Sequence, residues 1–354
     1  MKSAVAVLLG LGFLLCVLSA PANAQVGIGC TTTVSCGAYS LYFAGCYPIL
    51  PAGAFNCFPF DFSTTCQILT FNCPPPDAAP EQGPSCSKCG GPINLTTGDT
   101  YIKQEDVKVP GLGGGLELSR VWNSMWPSTQ ASFQVGLFGP NWRSTYEERV
   151  FLGSDGYMKY ARSDGSFWSF AYNMTYVHNS SDGNSYPGFG VAAPATQNAS
   201  LVEGPSYWTL TFKNGEQRRF DNTTGNLIAL IDRNGNTTQL TYDAVDRLTT
   251  VTDAAGRHLY FSYASQTSFL VTSVTSDFGV SVTYSYDGEG RLTQIVEPDQ
   301  STLNFDYNAQ SLIADVKDSA GKILESHTYD AAGRGLTSVR ANGVDAVTVS
   351  YQNQ

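Results

Sequence analysis

Glu325 and His327 stand two residues apart in the series Ile323, Glu325, His327, Tyr329, a spacing that puts both side chains on one face of a strand. A carboxylate beside an imidazole can serve as a general base. No Gly-x-Ser-x-Gly turn supplies a hydroxyl for such a base to activate, so the pair is read as part of a strand facing a wetter region of a sheet. His178 lies in a polar stretch and His258 follows a turn, and both are read as solvent-facing. Asp243, Asp253, Asp287 and Asp330 offer oxygens to a hard cation such as calcium. They recur once or twice per turn rather than at alternate positions of a ligand loop, and a turn role accounts for them. Cys86-Ser-Lys-Cys89 has dithiol spacing, but no second Cys-x-x-Cys or His pair sits at zinc spacing. The glycine cluster GLGGGLE at 111–117 lacks the helix that a dinucleotide loop requires. Asn94, Asn173, Asn179, Asn198, Asn222 and Asn236 head Asn-x-Ser/Thr triplets, which matter only in a host that glycosylates. No residue is assigned to catalysis, to a cofactor or to a metal, and the chain is expected not to be an enzyme.

The elements that hold these residues follow from composition and pattern. The chain has 354 residues, only 14% of them charged and 12% aromatic, with 35 Gly and 17 Pro. This balance suits a turn-rich all-β protein. The net charge of −10 comes without a basic stripe, so nucleic acid is not an expected partner. Residues 1–24 carry one basic residue, an apolar run and the small-residue pattern Ala22-Asn23-Ala24, which reads as a secretory signal peptide cleaved before Gln25. The apolar run is short for a membrane span, and no transmembrane segment is expected after cleavage. Cys30, Cys36, Cys46, Cys57, Cys66, Cys73, Cys86 and Cys89 remain. An even number in an exported chain is read as a disulfide framework of open connectivity, within a loop-rich module over 25–89.

From residue 90 short alternating runs separated by Gly and Pro read as strands and turns, with residues 178–206 as a long surface loop. After Tyr207 the rings that close successive strands, Phe220, Tyr242, Tyr263, Tyr286, Tyr307, Tyr329 and Tyr351, follow at steps of 22, 21, 23, 21, 22 and 22. This is an internal repeat. Each unit reads as a hairpin: alternation up to the ring, a turn such as DAVDR, DGEGR or DAAGR, then a second strand. In that second strand Leu248/Val251, Leu292/Ile295 and Leu336/Val339 recur at an offset of three. A flat strand cannot put such a pair on one face, so a bulge or two-sided burial is expected.

The units FDNTTGNLIALIDRNGNTTQLTYD, YDAVDRLTTVTDAAGRHLYFSY, YDGEGRLTQIVEPD and YDAAGRGLTSV closely resemble the RHS or YD repeat of bacterial RHS proteins, polymorphic toxins and teneurins. GGPINLTTGDTY, LELSRVWNS and FGPNWRSTYEERV look like the domain of unknown function that precedes such repeats. The resemblance covers about residues 90–354. It implies a spiral antiparallel β-sheet, which in complete family members forms a hollow shell around a C-terminal effector released by self-cleavage. Here about six repeats are present, and the self-cleavage motif and a variable C-terminal payload are missing. The expected organisation is a signal peptide (1–24), a disulfide module (25–89), a β-domain (90–206) and YD repeats (207–354).

The function expected on these grounds is that of an exported structural protein, secreted or held at the cell envelope: a partial β-shell segment, scaffold or surface-interaction protein. Two alternatives accompany it, a truncated toxin-delivery protein lacking its effector and a carbohydrate-binding surface protein. Expected partners are another RHS chain or effector that completes the sheet, and a glycan or cell-surface ligand.

Overall fold

The computed structural model describes residues 92–125, 135–153, 156–179 and 182–351, together with the backbone of five short strands, β1 (Leu15–Val17), β2 (Thr31–Cys36), β3 (Tyr39–Ala44), β4 (Asn56–Phe58) and β5 (Cys66–Ile68). The signal peptide, the cysteine-rich module and all eight of its cysteine side chains otherwise lie outside the described residues. Among the described residues no helix is long and apolar enough to cross a membrane. The chain is all-β, with antiparallel sheets, and divides into two compact units. One comprises Met1–Ala78, Phe151–Lys159 and Trp168–Pro205, the other Ala79–Val150, Tyr160–Phe167 and Ser206–Gln354.

In the first unit the residues read as a long loop form two strands instead. β14 (Ser185–Ala193) pairs antiparallel with β13 (Phe167–His178), and β15 (Ala199–Glu203) pairs with β14. The physical reason is local: Ala199 and Leu201 alternate inward and are buried with Phe189, while surrounding Gly, Pro, Ser and Asn mask the period. Lys159, on β12 (Met158–Ala161), is fully buried and donates from Nζ to Ser169 Oγ at 2.5 Å.

The second unit holds the repeats. Its strands run β16 (Tyr207–Phe212), β17 (Gln217–Asp221), β18 (Leu227–Ile231), β19 (Thr237–Tyr242), β20 (Leu248–Thr252), β21 (His258–Tyr263), β22 (Val271–Ser276), β23 (Ser281–Tyr286), β24 (Leu292–Val296), β25 (Thr302–Tyr307), β26 (Ile313–Lys317), β27 (Ile323–Tyr329), β28 (Gly335–Arg340) and β29 (Val344–Thr348). Each pairs antiparallel with the next. Short turns suffice to connect such neighbours.

The offset of three is a bulge. Thr241 faces Thr250 and Tyr242 faces Leu248, so Thr249 is the extra residue. Thr272 and Thr293 are extra in the same way. An extra residue turns a spacing of three back into one face, and Leu248/Val251, Val271/Val274, Leu292/Ile295 and Ile313/Val316 are all buried. The bulged threonines also donate from Oγ1 to the carbonyl before the ring: Thr249 to Thr241 O at 3.0 Å, Thr272 to Ser262 O at 3.2 Å and Thr293 to Ser285 O at 3.1 Å.

In the last hairpin the expectation of Leu336 and Val339 as the buried pair is off by one residue. Tyr329 faces Gly335, Leu336 is the bulge, and Gly335 and Ser338 face inward. Crowding explains the glycine: a Cβ there would meet Thr100 Oγ1 at 2.3 Å and Ile93 side-chain carbons at 3.0 Å.

Residues 92–125 and 135–150 fill the inner side of this sheet. β6 (Tyr101–Val109), β7 (Leu116–Asn123) and β10 (Trp142–Ser144) form a three-stranded sheet in the order β10-β7-β6, with the short pair β8 (Val135–Gly136) and β9 (Gly139–Pro140) before β10 and β11 (Arg149–Leu152) after it. Rings on and beside these strands meet inward repeat rings edge to face: Tyr146 with Phe261 at 6.3 Å, Phe138 with Tyr284 at 4.8 Å, Trp142 with Phe305 at 5.5 Å and Trp122 with Tyr329 at 6.4 Å. Each pair is worth about 0.5–1.5 kcal/mol beyond its burial. Trp142 is fully buried, so Trp142→Ala is expected to cost ~3–5 kcal/mol, read as a lowered denaturant midpoint with the slope unchanged.

Candidate functional site: the Tyr-Asp-Arg lock and the polar last hairpin

The rings that mark the period do one job in common. Tyr242 Oη donates to Leu227 O at 2.7 Å, Tyr263 to Leu248 O at 2.8 Å, Tyr286 to Val271 O at 2.7 Å, Tyr307 to Leu292 O at 2.8 Å, Tyr329 to Ile313 O at 2.7 Å and Tyr351 to Gly335 O at 2.8 Å. Every acceptor opens the strand after the preceding ring, so each tyrosine ties its hairpin to the one before. Burial pushes the Tyr242, Tyr263, Tyr286, Tyr307 and Tyr329 hydroxyls above their ordinary range, which keeps them neutral donors. Phe220, at the head of the series, is fully buried and packs on Tyr160 at 5.9 Å.

The Asp and Arg of the turn complete the device. Asp243 Oδ1 accepts from the N–H groups of Val245 and Arg247, and Oδ2 accepts from Arg247 Nε at 2.8 Å. Asp287 with Arg291 and Asp330 with Arg334 repeat this, with Nε at 2.7 Å in both. The oriented guanidinium then lies over the next ring: Arg247 over Tyr263 at 4.7 Å, Arg291 over Tyr307 at 4.9 Å and Arg334 over Tyr351 at 4.1 Å. A cation over a ring face contributes about 0.5–2 kcal/mol. Burial draws the Asp243, Asp253, Asp287 and Asp330 carboxyls up, but the turn N–H groups and the arginine outweigh it and hold them below the usual range. Their oxygens are thus engaged within their own turns. Among the described residues no group of three His, Cys, Asp or Glu is placed to hold a metal ion.

A buried charge joins β6 and β7 to the repeats. Arg120 donates from Nε to Asp106 Oδ2 at 2.5 Å and from Nη2 to Oδ1 at 2.7 Å, both side chains being fully buried. Tyr284 Oη donates to Asp106 Oδ2 at 2.6 Å, and the guanidinium lies 4.7 Å over the Trp142 ring. Burial alone would lower the arginine, but Asp106 beside it carries it above its ordinary range. No sequence pattern announced the bond from Tyr284 to Asp106 across 178 residues.

At the last hairpin the inner row changes character. Leu240, Phe261, Tyr284 and Phe305 give way to His327, which is likewise buried. The expected wetter face is met by Glu325, 22% exposed, but not by the His327 side chain at 0%. His327 Nε2 lies 3.6 Å from Glu325 Oε2, Arg340 Nε lies 3.4 Å from Glu325 Oε1, and neither ring nitrogen has a hydrogen-bond partner. An imidazole sealed from water has no substrate to deprotonate. His178 is exposed at the end of β13, and His258 is held by Asp277. Asn94 Oδ1 accepts from the N–H groups of Thr96 and Thr97, which makes it a turn cap. The glycines of 111–117 turn the chain, since a Cβ on Gly115 would sit 2.0 Å from Val109 O.

A sheet in which every hairpin is bonded to its predecessor by a strand-closing ring belongs to the class of hairpin-repeat β proteins. The chain is an RHS/YD-repeat protein. The domain of unknown function DUF6531 matches residues 90–170, and the RHS Repeat matches residues 222–258 and 270–302. Over 276 residues, 72% of this chain, it is 30% identical to the tRNA(Glu)-specific nuclease WapA of Bacillus subtilis subsp. natto and 31% identical to the tRNA3(Ser)-specific nuclease WapA of Bacillus spizizenii. The chain spans 11% of the length of each. Solved structures similar to it include TcdB2-TccC3-TEV, with TM-score 0.28 and 14% identity over 73% of this chain and 16% of that one. A Photorhabdus luminescens Tc holotoxin pore gives TM-score 0.27 and 14% identity over 68% and 14%.

These relatives overturn the expectation that the chain is not an enzyme, because the curated proteins that match most of it are named nucleases. That expectation weighed only constellations within these residues. A match to 11% of each relative leaves the chemistry of the whole protein unconstrained by the repeats.

Two outcomes follow. Tyr286→Phe removes one hydroxyl and leaves Val271 O unpaired, and is expected to cost ~1–2 kcal/mol by denaturant unfolding. Burial, with Asp106 adding, raises the Glu297 carboxyl from 4.5 to about 7. A raised carboxyl favours the fold when protonated, so its contribution is full below 4.5 and is lost as the pH rises through about 7. Glu297 is half-buried, and the loss is expected to be ~1–3 kcal/mol. Glu297→Gln should flatten the stability profile between pH 5 and 8, measured by thermal melts.

Proposed function

We propose that this chain supplies a self-locking wall segment to an exported, nuclease-related RHS toxin system. The observation that carries the reading is the uniform lock. Six tyrosines bond back to the hairpin before them at 2.7 to 2.8 Å, so one more hairpin can join by the same contacts without altering those in place. The relatives named as tRNA nucleases support the toxin connection, and their greater length supports a division in which the repeats enclose or present what another part of the protein does. The leader-like stretch 1–24 supports export.

The partner in this reading is another RHS-type hairpin. Among the described strands β29 pairs with β28 alone, and an open edge is a template for a further strand. A glycan ligand is a second reading, supported by the exposed rings of Phe269 and Phe278 in turns of the repeat unit.

The test is amide hydrogen exchange across β29, run on the full chain at rising concentration and in the presence of the RHS-repeat region of a WapA relative. Slowed exchange over Val344–Thr348 in either series, lost in Ala346→Pro, is the expected result. Exchange that stays fast in both series sinks the wall-segment reading.

A further inference from the structure

In a repeat sheet, positions that break the repeat are those the fold does not dictate. Three residues before each closing tyrosine stand Gln239, Thr283, Asn304, Ser326 and Thr348, all short or polar, but in β21 the residue is Tyr260. Five residues before it stand Thr237, Ser281, Thr302, Leu324 and Ala346, but in β21 the residue is His258. Both departures fall on one strand, on the face turned away from the core.

Tyr260 is 40% exposed. Its ladder neighbours are Thr250 and Thr275, too short to cover the ring. The His258 ring stacks beside it, 5.5 Å between centroids and 10° between planes. Asp277 fixes that ring, with Oδ1 accepting from the His258 backbone N–H at 3.1 Å and Oδ2 2.8 Å from Nδ1. The carboxylate is still 39% exposed, and its hydrogen bonds to His258 hold it below the usual range.

The same chain shows what a tyrosine face and a carboxylate accept. In its turns Arg247, Arg291 and Arg334 each lie over a tyrosine ring while donating to an aspartate. Here the Tyr260 ring on β21 and the Asp277 carboxylate in the turn after β22 are present without an arginine. The adjacent Arg257 is engaged by Asp253 and by Pro110 O.

We propose that Tyr260, His258 and Asp277 form a socket for an arginine side chain presented by a partner protein. A guanidinium is planar, stacks on aromatic faces and matches a carboxylate with its fork of donors. A lysine ammonium shares the charge but not the flat stacking. The net charge of −10 draws a basic segment toward the surface.

The test is calorimetric titration of the full chain with an Arg-Gly repeat peptide, its citrulline counterpart and a cello-oligosaccharide, with the His258 ring resonances followed by NMR. The arginine peptide is expected to bind saturably and shift those resonances, the other two to leave them unmoved. Tyr260→Ser installs the residue that Ser326 supplies at the same place in β27, and Asp277→Asn keeps the side-chain shape. Each is expected to weaken binding roughly five- to tenfold. No binding, equal binding of the citrulline peptide, wild-type affinity in both variants, or saturable sugar binding at these rings would overturn the assignment. If Tyr260→Ser lowers the melting temperature, Asp277→Asn decides.

Discussion

The constraint on which the repeat unit depends is the reach of one tyrosine hydroxyl to the carbonyl that opens the strand after the previous ring. That reach is possible because a bulge at the start of each returning strand puts the ring opposite the first residue of that strand, with one residue looped out. The bulge restores a common face to apolar residues three apart, and its threonines close the gap the extra residue leaves. The Asp and Arg of the turn hold the ring from above, one orienting the other. The recurring Tyr-Asp and Gly-Arg letters are thus members of one hydrogen-bonded and stacked assembly, shared between consecutive hairpins.

Much of this was legible in the sequence, and the reason is periodicity. Strict alternation before each ring marked strands, and the spacing of the rings marked the unit. The offset of three in Leu248/Val251 and Leu292/Ile295 pointed to a bulge. In the last hairpin the same letters misled, because the glycine at Gly335 takes the inward place that Ile313 holds one unit earlier, under pressure from Ile93 and Thr100. Only tertiary crowding decides that register. The paired strands within 178–206 were hidden for a different reason: their period is carried by few residues, chiefly Ala199 and Leu201, among many turn formers.

Contacts distant in sequence were not legible. Nothing in the pattern indicates that Arg120 and Asp106 are sealed together under Tyr284, or that residues 92–125 and 135–150 supply one ring to each of several hairpins in turn. Aperiodic partners have no spacing to read, and their pairing follows from which surfaces remain to be covered. The His258–Asp277 clamp belongs to the same category, since one member opens β21, the other lies in the turn after β22, and only the ladder between these strands brings them together.

The direction of the tyrosine bond carries a meaning for assembly. Each hydroxyl points to a carbonyl 15 or 16 residues upstream and none points downstream. A hairpin can therefore be fastened as soon as its own ring has emerged, needing only chain already synthesised. Phe220, which heads the series, has no hydroxyl to place. Sequence order and the order of fastening coincide, so a nascent chain can zip progressively from its N-terminal side, each step closing a short loop rather than a long one.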